Sequence, residues 1–533
     1  MRSAVLLICA HSRPLPWSLR MKSWTVVLLV FGFSRVLLGQ SEPVFGFNDL
    51  ARKAQQLAAQ PFTPQLEEFS PDLSKLDYDR YRRIRFLPER SVWRNLPYRL
   101  GFFHPGYYYN RRVLFTAIEA NRVRDIPFCP AYFHYDQPIN FSGHEHFVGF
   151  RAYVPAATPG DQDEFMAFLG ASYFRAIAKG LQWGLSSRGL GINTGASGPE
   201  EFPDFRAFWI RQPQSKDAPL EFYALLDSES VTGAYRFDVR YGENTTMDVQ
   251  VSLFWRKQAE VALLAPLTSM FYFGANTVNR PTLKPDYQPT GKMDFGMNKT
   301  DFNRREFRPQ VHDSDGLLMD TPSGEKLWAP LENPKSVVIR QFADATGFSL
   351  MQRDRDVAHY LDQEAAYHRR PSLTVVPKNL GSGRVRLLEL PSVNEYTDNI
   401  VAGWQPLDSP AAGARSDYSY QLVWRGDDPD QDQFRVVSTT LRPSPSSSET
   451  LINVEYARAV HGETIPVEQL HPLVLSGTGG EIKNVQFTPT ESGWLVTFTV
   501  HALSTNPSDL ELSCVILRGD KSCSEKWLYL LNT

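Results

Sequence analysis

Two short acidic motifs carry the side chains of this sequence that are best suited to chemistry. Asp313 and Asp315 lie in a His-Asp-Ser-Asp-Gly run, and Glu395 and Asp398 lie in an Asn-Glu-Tyr-Thr-Asp-Asn run. Glycoside hydrolysis needs one carboxyl group that donates a proton to the leaving oxygen and a second that activates water. Acidic residues in turns also accept local backbone hydrogen bonds, and spacing alone leaves this alternative open.

The motifs of several other enzyme classes are absent from the sequence. There is no Gly-x-Ser-x-Gly nucleophile elbow, no P-loop, no His-Glu-x-x-His and no dinucleotide-binding fingerprint. No group of His and Cys residues has the spacing of a zinc site. The sequence therefore predicts neither a metal nor an organic cofactor, and the carboxyl groups remain the candidates for catalysis.

The N-terminal residues 1–40 have the pattern of an export signal. Arg20 and Lys22 precede an apolar run over residues 24–33, and the small residue Gly39 precedes a candidate cleavage point. The apolar run is too short for a transmembrane helix and Arg35 follows it closely. Residues 41–533 offer no membrane-spanning segment, so the sequence predicts an exported protein that is not an integral membrane protein.

An exported protein meets an oxidising compartment, which gives its cysteines two possible states. Cys514 and Cys523 could face each other across a hairpin and form a disulfide, or they could stay as two unpaired thiols. Cys129 is predicted to be a buried free thiol, and Cys9 would be removed with the signal.

The composition indicates a soluble globular protein rich in short strands. Hydrophobic residues make up 42% and charged residues 22% of the 533 residues, a length that suggests two or three domains. Aromatic residues reach 13%, with 38 Pro and 34 Gly, which favours strands and turns over helical bundles. The net charge of -3 without a long basic tract argues against nucleic acid as a partner.

The elements that must position the acidic motifs are mainly strands. Alternating apolar and polar residues predict half-buried antiparallel strands over residues 235–239 and 247–254. One helix is predicted to begin at Asn48 or Asp49 and to end before Pro61, and a second short helix is predicted over residues 163–169.

Two polar stretches interrupt this pattern. Residues 276–310 form a long irregular segment just before the first acidic motif, which is a candidate lid or a disordered insertion. The acidic run at residues 426–433 marks a boundary, because strands alternate with turns for about 100 residues after it, as in an immunoglobulin-like sandwich. The predicted organisation is a signal peptide at 1–40, a large domain at 41–425, a linker at 426–433 and a small domain at 434–533.

Several segments, taken in order, closely resemble the periplasmic osmoregulated glucan biosynthesis protein G and D family. Two of them contain the acidic motifs: the His-Asp-Ser-Asp-Gly-Leu segment that begins at His312 and the Asp-Asn-Ile-Val-Ala segment that begins at Asp398. The other segments are residues 169–175, 184–190, 201–205, 223–228, 265–271 and 331–334. The resemblance runs from about Phe45 to the C terminus, and residues 276–310 are longer than the corresponding loop of the family.

This resemblance implies an all-β fold in which a large galactose-mutarotase-like β-sandwich is followed by a small immunoglobulin-like β-sandwich. It implies a periplasmic protein that acts on the β-1,2-linked glucose backbone of osmoregulated glucans. In family members similar to inverting β-1,2-glucanases, the general acid falls on Asp398 and the base-side residue on Asp313. Glu395 matches a supporting acidic position, and its charge is expected to raise the pKa of Asp398 by repulsion.

Further residues of the matching segments are predicted to line a sugar cleft. They are Arg175, Arg188, His312 and Arg353, and Trp404 is a candidate for stacking on a glucose ring. For the four polar residues the alternative is an ordinary salt bridge or strand-end hydrogen bond, and for Trp404 it is core packing.

Three hypotheses for function follow from these observations. The first is a periplasmic hydrolase, an endo-β-1,2-glucanase that trims the glucan backbone. The second is a non-catalytic glucan-binding or scaffold protein of the same pathway. The third, a mutarotase or epimerase, would rest on fold analogy alone. The small C-terminal domain is also a candidate docking surface for other proteins of the glucan pathway.

Overall fold

A computed structural model describes most of the chain after the predicted export signal. The described residues are 45–65, 70–120, 122–156, 161–215, 217–278, 306–343, 345–428, 432–445, 448–461, 465–503 and 510–531. The predicted signal peptide, residues 279–305 of the predicted lid or insertion and residues 429–431 of the predicted linker lie outside these ranges.

Helices are few and short, and strands make up most of the regular structure. The α-helices are α1 (Phe47–Ala58), α2 (Pro71–Ser74) and α3 (Tyr78–Tyr81). Single 3-10 turns occupy Pro88–Arg90, Pro130–Tyr132, Val357–His359, Tyr367–Arg369 and Val467–Gln469.

The strands before the long irregular segment begin near residue 85. They are β1 (Arg85–Phe86), β2 (Arg99–Phe103), β3 (Leu114–Glu119), β4 (Arg122–Asp125), β5 (Phe133–His134), β6 (Gly149–Pro155), β7 (Gln162–Leu169), β8 (Tyr173–Ala176), β9 (Ser186–Arg188), β10 (Leu190–Ile192), β11 (Asp204–Arg211), β12 (Leu220–Asp227), β13 (Val231–Arg240), β14 (Thr245–Trp255), β15 (Ala262–Ser269) and β16 (Phe271–Phe273).

The strands after that segment continue to the end of the chain. They are β17 (Val311–His312), β18 (Gly316–Asp320), β19 (Lys326–Pro330), β20 (Val338–Phe342), β21 (Gly347–Met351), β22 (Ser372–Asn379), β23 (Gly383–Glu389), β24 (Ile400–Pro406), β25 (Arg415–Arg425), β26 (Arg435–Pro443), β27 (Glu449–Ala457), β28 (Leu470–Ser476), β29 (Gly480–Pro489), β30 (Gly493–Ala502), β31 (Leu510–Arg518), β32 (Lys521–Ser522) and β33 (Lys526–Leu531).

Two large sheets form a sandwich, which confirms the predicted all-β fold class. One has the order β2-β6-β7-β8-β9-β15-β24-β23-β20, with β10 paired to β15. The other has the order β28-β31-β33-β19-β18-β21-β22-β25-β14-β13-β12-β11-β3-β4, with β32 paired to β31. Most neighbouring strands are antiparallel, as the alternating sequence pattern of β13 and β14 predicts.

Aromatic side chains fill the space between the two sheets. Phe150 of the first sheet lies 5.0 Å from Phe208 of the second, and Phe168 lies 5.4 Å from Phe222, measured between ring centroids. All four rings are buried. Because each buried phenylalanine contributes about 1.5–3 kcal/mol, this layer holds the sandwich together.

The strands after residue 434 share a core with strands of the large sandwich. A four-stranded sheet, β26-β27-β30-β29, contributes Ile452 and Phe498 to this core. Trp328 and Met351, from β19 and β21, belong to the same buried cluster. The C-terminal strand β33 also pairs in parallel with β19, so this part of the chain is joined to the sandwich by main-chain and side-chain contacts.

Of the two helices predicted from the sequence, the structure contains one. The helix near the N terminus is confirmed as α1, but Gly46 occupies its N-cap and the Asp49 carboxylate accepts the Gly46 N–H at 2.8 Å. The second predicted helix is wrong, because residues 163–169 belong to β7. That strand pairs with β6 on one side and β8 on the other, and these sheet hydrogen bonds override the local sequence preference.

The two C-terminal cysteines are free thiols, so the structure selects the unpaired alternative over the disulfide. Cys514 is fully buried in the C-terminal core, and burial raises the pKa of its thiol to about 12. Cys129 is also a free thiol, but it is half-buried, which is less buried than predicted.

Candidate active site

The two acidic motifs meet at one end of the ten-stranded sheet. Asp398 lies two residues before β24, and Asp313 directly follows β17, which pairs with β16. In β15, Ser269 pairs with Ile400 of β24, and the same strand pairs with β9. Because β9 in turn pairs with β8, this series of strands also brings the segment that carries Arg175 toward the acidic residues.

Asn399 fixes the backbone beside Asp398. Its buried side-chain amide donates to the carbonyl oxygens of Phe271 and Leu390, both at 3.0 Å, and accepts the Phe271 N–H at 2.8 Å. These bonds connect the start of β24 to β16, the strand that pairs with the segment before Asp313. A buried amide whose hydrogen bonds are satisfied in this way holds a single geometry.

Asp313 is buried and ion-paired. Its carboxylate accepts from the guanidinium of Arg370, and its backbone N–H donates to the Met270 carbonyl at 2.8 Å. Burial raises the pKa of Asp313 to about 6, the charge of Arg370 opposes this shift, and the charge of Asp398 reinforces it. Near neutral pH Asp313 therefore carries a negative charge that Arg370 stabilises.

Asp398 combines solvent exposure with a raised pKa. Its side chain is exposed, and the surrounding protein still excludes enough water to raise the carboxyl pKa above its usual value. The charges of Arg175, Arg188 and Arg370 oppose that shift. An accessible carboxyl group with a raised pKa is a candidate functional group.

Glu395 is held by an arginine and a tyrosine. Its carboxylate accepts from Arg308 at 2.7 Å and from the Tyr367 hydroxyl at 2.9 Å. Burial, rather than repulsion from Glu395, is the cause of the raised pKa of Asp398. The Arg370 guanidinium lies 4.2 Å from the Tyr367 ring centroid, so Glu395 supports the arginine that pairs with Asp313.

The two predicted arginines of β8 and β9 flank Asp398 in different ways. Arg175 is exposed. Arg188 is buried, donates to Glu200 at 2.6 Å and to Thr268 at 3.2 Å, and lies over the ring of Tyr173. Because Arg188 is held by these partners, it contributes a fixed positive charge, whereas Arg175 is accessible to a ligand.

Of the remaining three predicted cleft residues, His312 and Arg353 line a cavity together with Trp328, and Trp404 lies in the core. The buried His312 ring contacts Gln352 at 2.9 Å and stacks on Phe271, and burial lowers its pKa to about 4. Arg353 lies under the C-terminal strands, where it pairs with Glu525 at 2.6 Å. Trp404 is a core residue whose indole N–H donates to the Leu380 carbonyl at 3.2 Å.

Two important neighbours were not predicted from the sequence. Asn399 lies within the Asp-Asn-Ile-Val-Ala segment, so the resemblance of that segment to the family could have identified it. Arg370 lies in an Arg-Arg-Pro run without a motif, and it reaches Asp313 across 57 positions of the chain. Among the described residues, no group of three or more His, Cys, Asp or Glu side chains is placed to hold a metal ion.

Comparisons with known proteins show the family to which the chain is related. The family model described as "Periplasmic glucan biosynthesis protein, MdoG" matches residues 45–290 and 287–531. Glucans biosynthesis protein G of Ralstonia nicotianae is 36% identical over 526 residues, with 94% of this chain and 99% of that protein covered. The proteins of the same name from Rhodopseudomonas palustris and Vibrio cholerae are each 37% identical, covering 89% and 91% of this chain and 91% and 86% of their own.

The fold and the site thus define an all-β protein in which acidic residues and arginines from distant segments lie near one another. The chain belongs to the periplasmic glucan biosynthesis protein family. Membership of this family implies a periplasmic protein that takes part in glucan biosynthesis. Over the ranges that the structure describes, no helix is both long and apolar enough to span a bilayer.

Proposed function

We propose that this protein is an inverting endo-β-1,2-glucanase that cleaves the β-1,2-linked glucan backbone. The observation that carries the proposal is the accessible carboxyl group of Asp398, whose pKa is raised and which lies within the electrostatic reach of a second carboxylate, Asp313. Inverting glycosidases use two carboxyl groups that differ in protonation, one as acid and one as base.

In this reaction Asp398 is the general acid. Its raised pKa keeps a larger protonated fraction than an ordinary aspartate has, and the proton passes to the glycosidic oxygen as the C–O bond breaks. Asp313, held ionised by Arg370, acts on the opposite side and accepts the proton of the attacking water. The accessible Arg175 binds sugar hydroxyl groups, while the buried Arg188 contributes a fixed positive charge near Asp398.

A non-catalytic glucan-binding protein is the second candidate function. It is favoured by the ion pair of Asp313 with Arg370, because a carboxylate buried in an ion pair presents little surface to a water molecule. In that case the same cleft guides a nascent glucan chain, and Asp398 binds its hydroxyl groups.

Incubation of the purified chain with linear β-1,2-glucan separates the two candidates. We expect shorter oligosaccharides, with the new reducing end released first as the α anomer, since inversion of a β linkage gives that product. Chromatography gives the sizes and proton NMR the anomeric form. Binding of the glucan without release of oligosaccharides would support the scaffold function, and an initial β anomer would exclude inversion.

The pH dependence of cleavage tests the assignment of Asp313. A base must be ionised, so activity is expected to fall as the pH drops through about 6. Arg370 lowers the pKa of Asp313, so Arg370→Gln is expected to move this acid limb upward by about 1–3 pH units. The pH–rate profile of kcat/KM is the measurement.

Arg369→Gln is the matched control for this variant. Arg369 is the adjacent arginine, is exposed and donates to the Gly180 carbonyl instead of an acidic residue. Its profile should follow that of the parent chain. An acid limb that stays in place in Arg370→Gln would show that Asp313 is not the base.

The predicted organisation of the chain belongs to the same proposal. Residues 1–40 direct export and are removed, residues 41–425 form the glucan-active domain, and residues 426–433 link it to an immunoglobulin-like domain at 434–533. The start of the family match at residue 45 supports the first boundary. The separate four-stranded sheet that begins with β26 supports the last one.

A further inference from the structure

A tight hairpin beside α3 presents tyrosine side chains to solvent. Gly106 and Tyr109 exchange two backbone hydrogen bonds, each of 3.0 Å, so that Tyr107 and Tyr108 form the tip. Tyr108 is 79% exposed, and Tyr78 of α3 is 47% exposed. Their ring centroids lie 4.0 Å and 6.0 Å from that of Tyr107, so the three rings form one continuous aromatic surface. We call Tyr78, Tyr107 and Tyr108 the tyrosine platform.

The surrounding structure holds this platform in an unfavourable backbone conformation. Tyr107 has a φ of 57°, a region that bulky residues rarely occupy. Tyr81 supports the ring of Tyr107 from 6.1 Å, and its hydroxyl donates to the His104 carbonyl at 2.7 Å. At such hairpin tips Asn and Gly are favoured. Strained residues kept in place by their surroundings are concentrated at ligand sites.

One arginine, Arg175, lies near both the base of this hairpin and Asp398. Tyr109, at the base of the hairpin, is close enough to Arg175 for the arginine charge to lower its pKa against the larger effect of burial. The same Arg175 charge lowers the pKa of both Asp398 and Asp313. Arg175 is therefore the element shared by the tyrosine platform and the acidic cluster.

We propose that the tyrosine platform is a sugar-binding subsite at which glucose rings of a long glucan chain stack. The proposal rests on the proposed function, since the chain that stacks here is the one that passes Asp398. The CH faces of β-linked glucose are apolar, while tyrosine combines an apolar ring with a hydroxyl donor. The exposed rings of Tyr78 and Tyr108, on either side of Tyr107, offer more than one stacking face to such a chain.

A length series of linear β-1,2-gluco-oligosaccharides tests this subsite. Binding is measured by calorimetry to the full chain that carries Asp398→Asn, so that no substrate is consumed. In this background Tyr108→Ala is expected to weaken binding of long oligosaccharides by about tenfold. Short oligosaccharides that occupy only the acidic cleft should bind with unchanged affinity. Tyr108→Phe keeps the ring and should retain the affinity of the parent for both.

The outcomes distinguish the subsite from the proposed function. If Tyr108→Ala binds long oligosaccharides as tightly as the parent, or loses affinity equally at every length, the platform is not a remote subsite and the glucan cleft stands. If the parent chain binds no β-1,2-glucan of any length, both proposals fail together. Loss of affinity in Tyr108→Phe as large as in Tyr108→Ala would also overturn stacking as the cause.

Discussion

Replacement of Asp398 by asparagine is expected to reduce the rate of β-1,2-glucan cleavage by a factor on the order of 10²–10⁴, the usual contribution of a general acid. Asparagine has nearly the same shape but no proton to donate at neutral pH. Asp398 is exposed, and its charge is disfavoured by the surrounding protein, so the substitution should leave the melting temperature unchanged or higher. Initial rates of oligosaccharide release measure the effect.

Asp408→Asn is the matched control for this variant. Asp408 is also an exposed aspartate, and it follows the opposite end of β24 from Asp398. Its substitution should leave the rate of cleavage unchanged. If Asp398→Asn cleaved glucan at the rate of the parent chain, Asp398 would not be the general acid. If the parent chain does not cleave glucan, the affinity of Asp398→Asn for glucan is measured instead. Weaker binding than that of the parent would then identify Asp398 as a binding residue.

Arg353→Met is expected to lower the free energy of unfolding by about 3–5 kcal/mol, the range for breaking a buried ion pair. The Arg353 guanidinium lies 3.9 Å from the Trp328 ring centroid and pairs with Glu525 at 2.6 Å and Asp428 at 2.9 Å. Glu525 has no exposed surface. Methionine fills the space over Trp328 but leaves the Glu525 charge without its guanidinium partner. Urea unfolding measures the loss.

Two further variants test the cause of this loss. Adding Glu525→Gln to Arg353→Met removes the orphaned charge and keeps an acceptor for the Val436 N–H, so the double variant should be more stable than the single one. The exposed pair of Arg415 and Asp417 provides the surface control, and Arg415→Met should cost less than about 1 kcal/mol. A double variant as unstable as the single one would contradict the explanation.

The same residue shows what a sequence motif leaves open. As a polar residue of the matching segments, Arg353 is predicted either to line a sugar cleft or to form an ordinary salt bridge. In the structure it joins the large sandwich to β33, since its guanidinium meets Glu525 from a segment more than 150 positions away in the chain. No local pattern contains information about a partner at that separation.

The sequence by itself determined the all-β class, the α1 helix and the two acidic motifs. Strand alternation and helix periodicity are local properties, since neighbouring side chains on one element face fixed directions. The order of matching segments indicated the family, which the comparisons then showed. These predictions needed no knowledge of which strands pair.

Only the tertiary structure decided which groups surround the acidic residues. The pairing of Asp313 with Arg370, the contacts of Asn399 and the attachment of Glu395 to Arg308 and Tyr367 all depend on strand register and loop packing. These residues lie in the segments between strands, so their contacts form only after the strands have paired and the connecting loops have packed. The pKa of Asp398 likewise depends on how much water the assembled cleft excludes, a property that arises only when the distant segments come together.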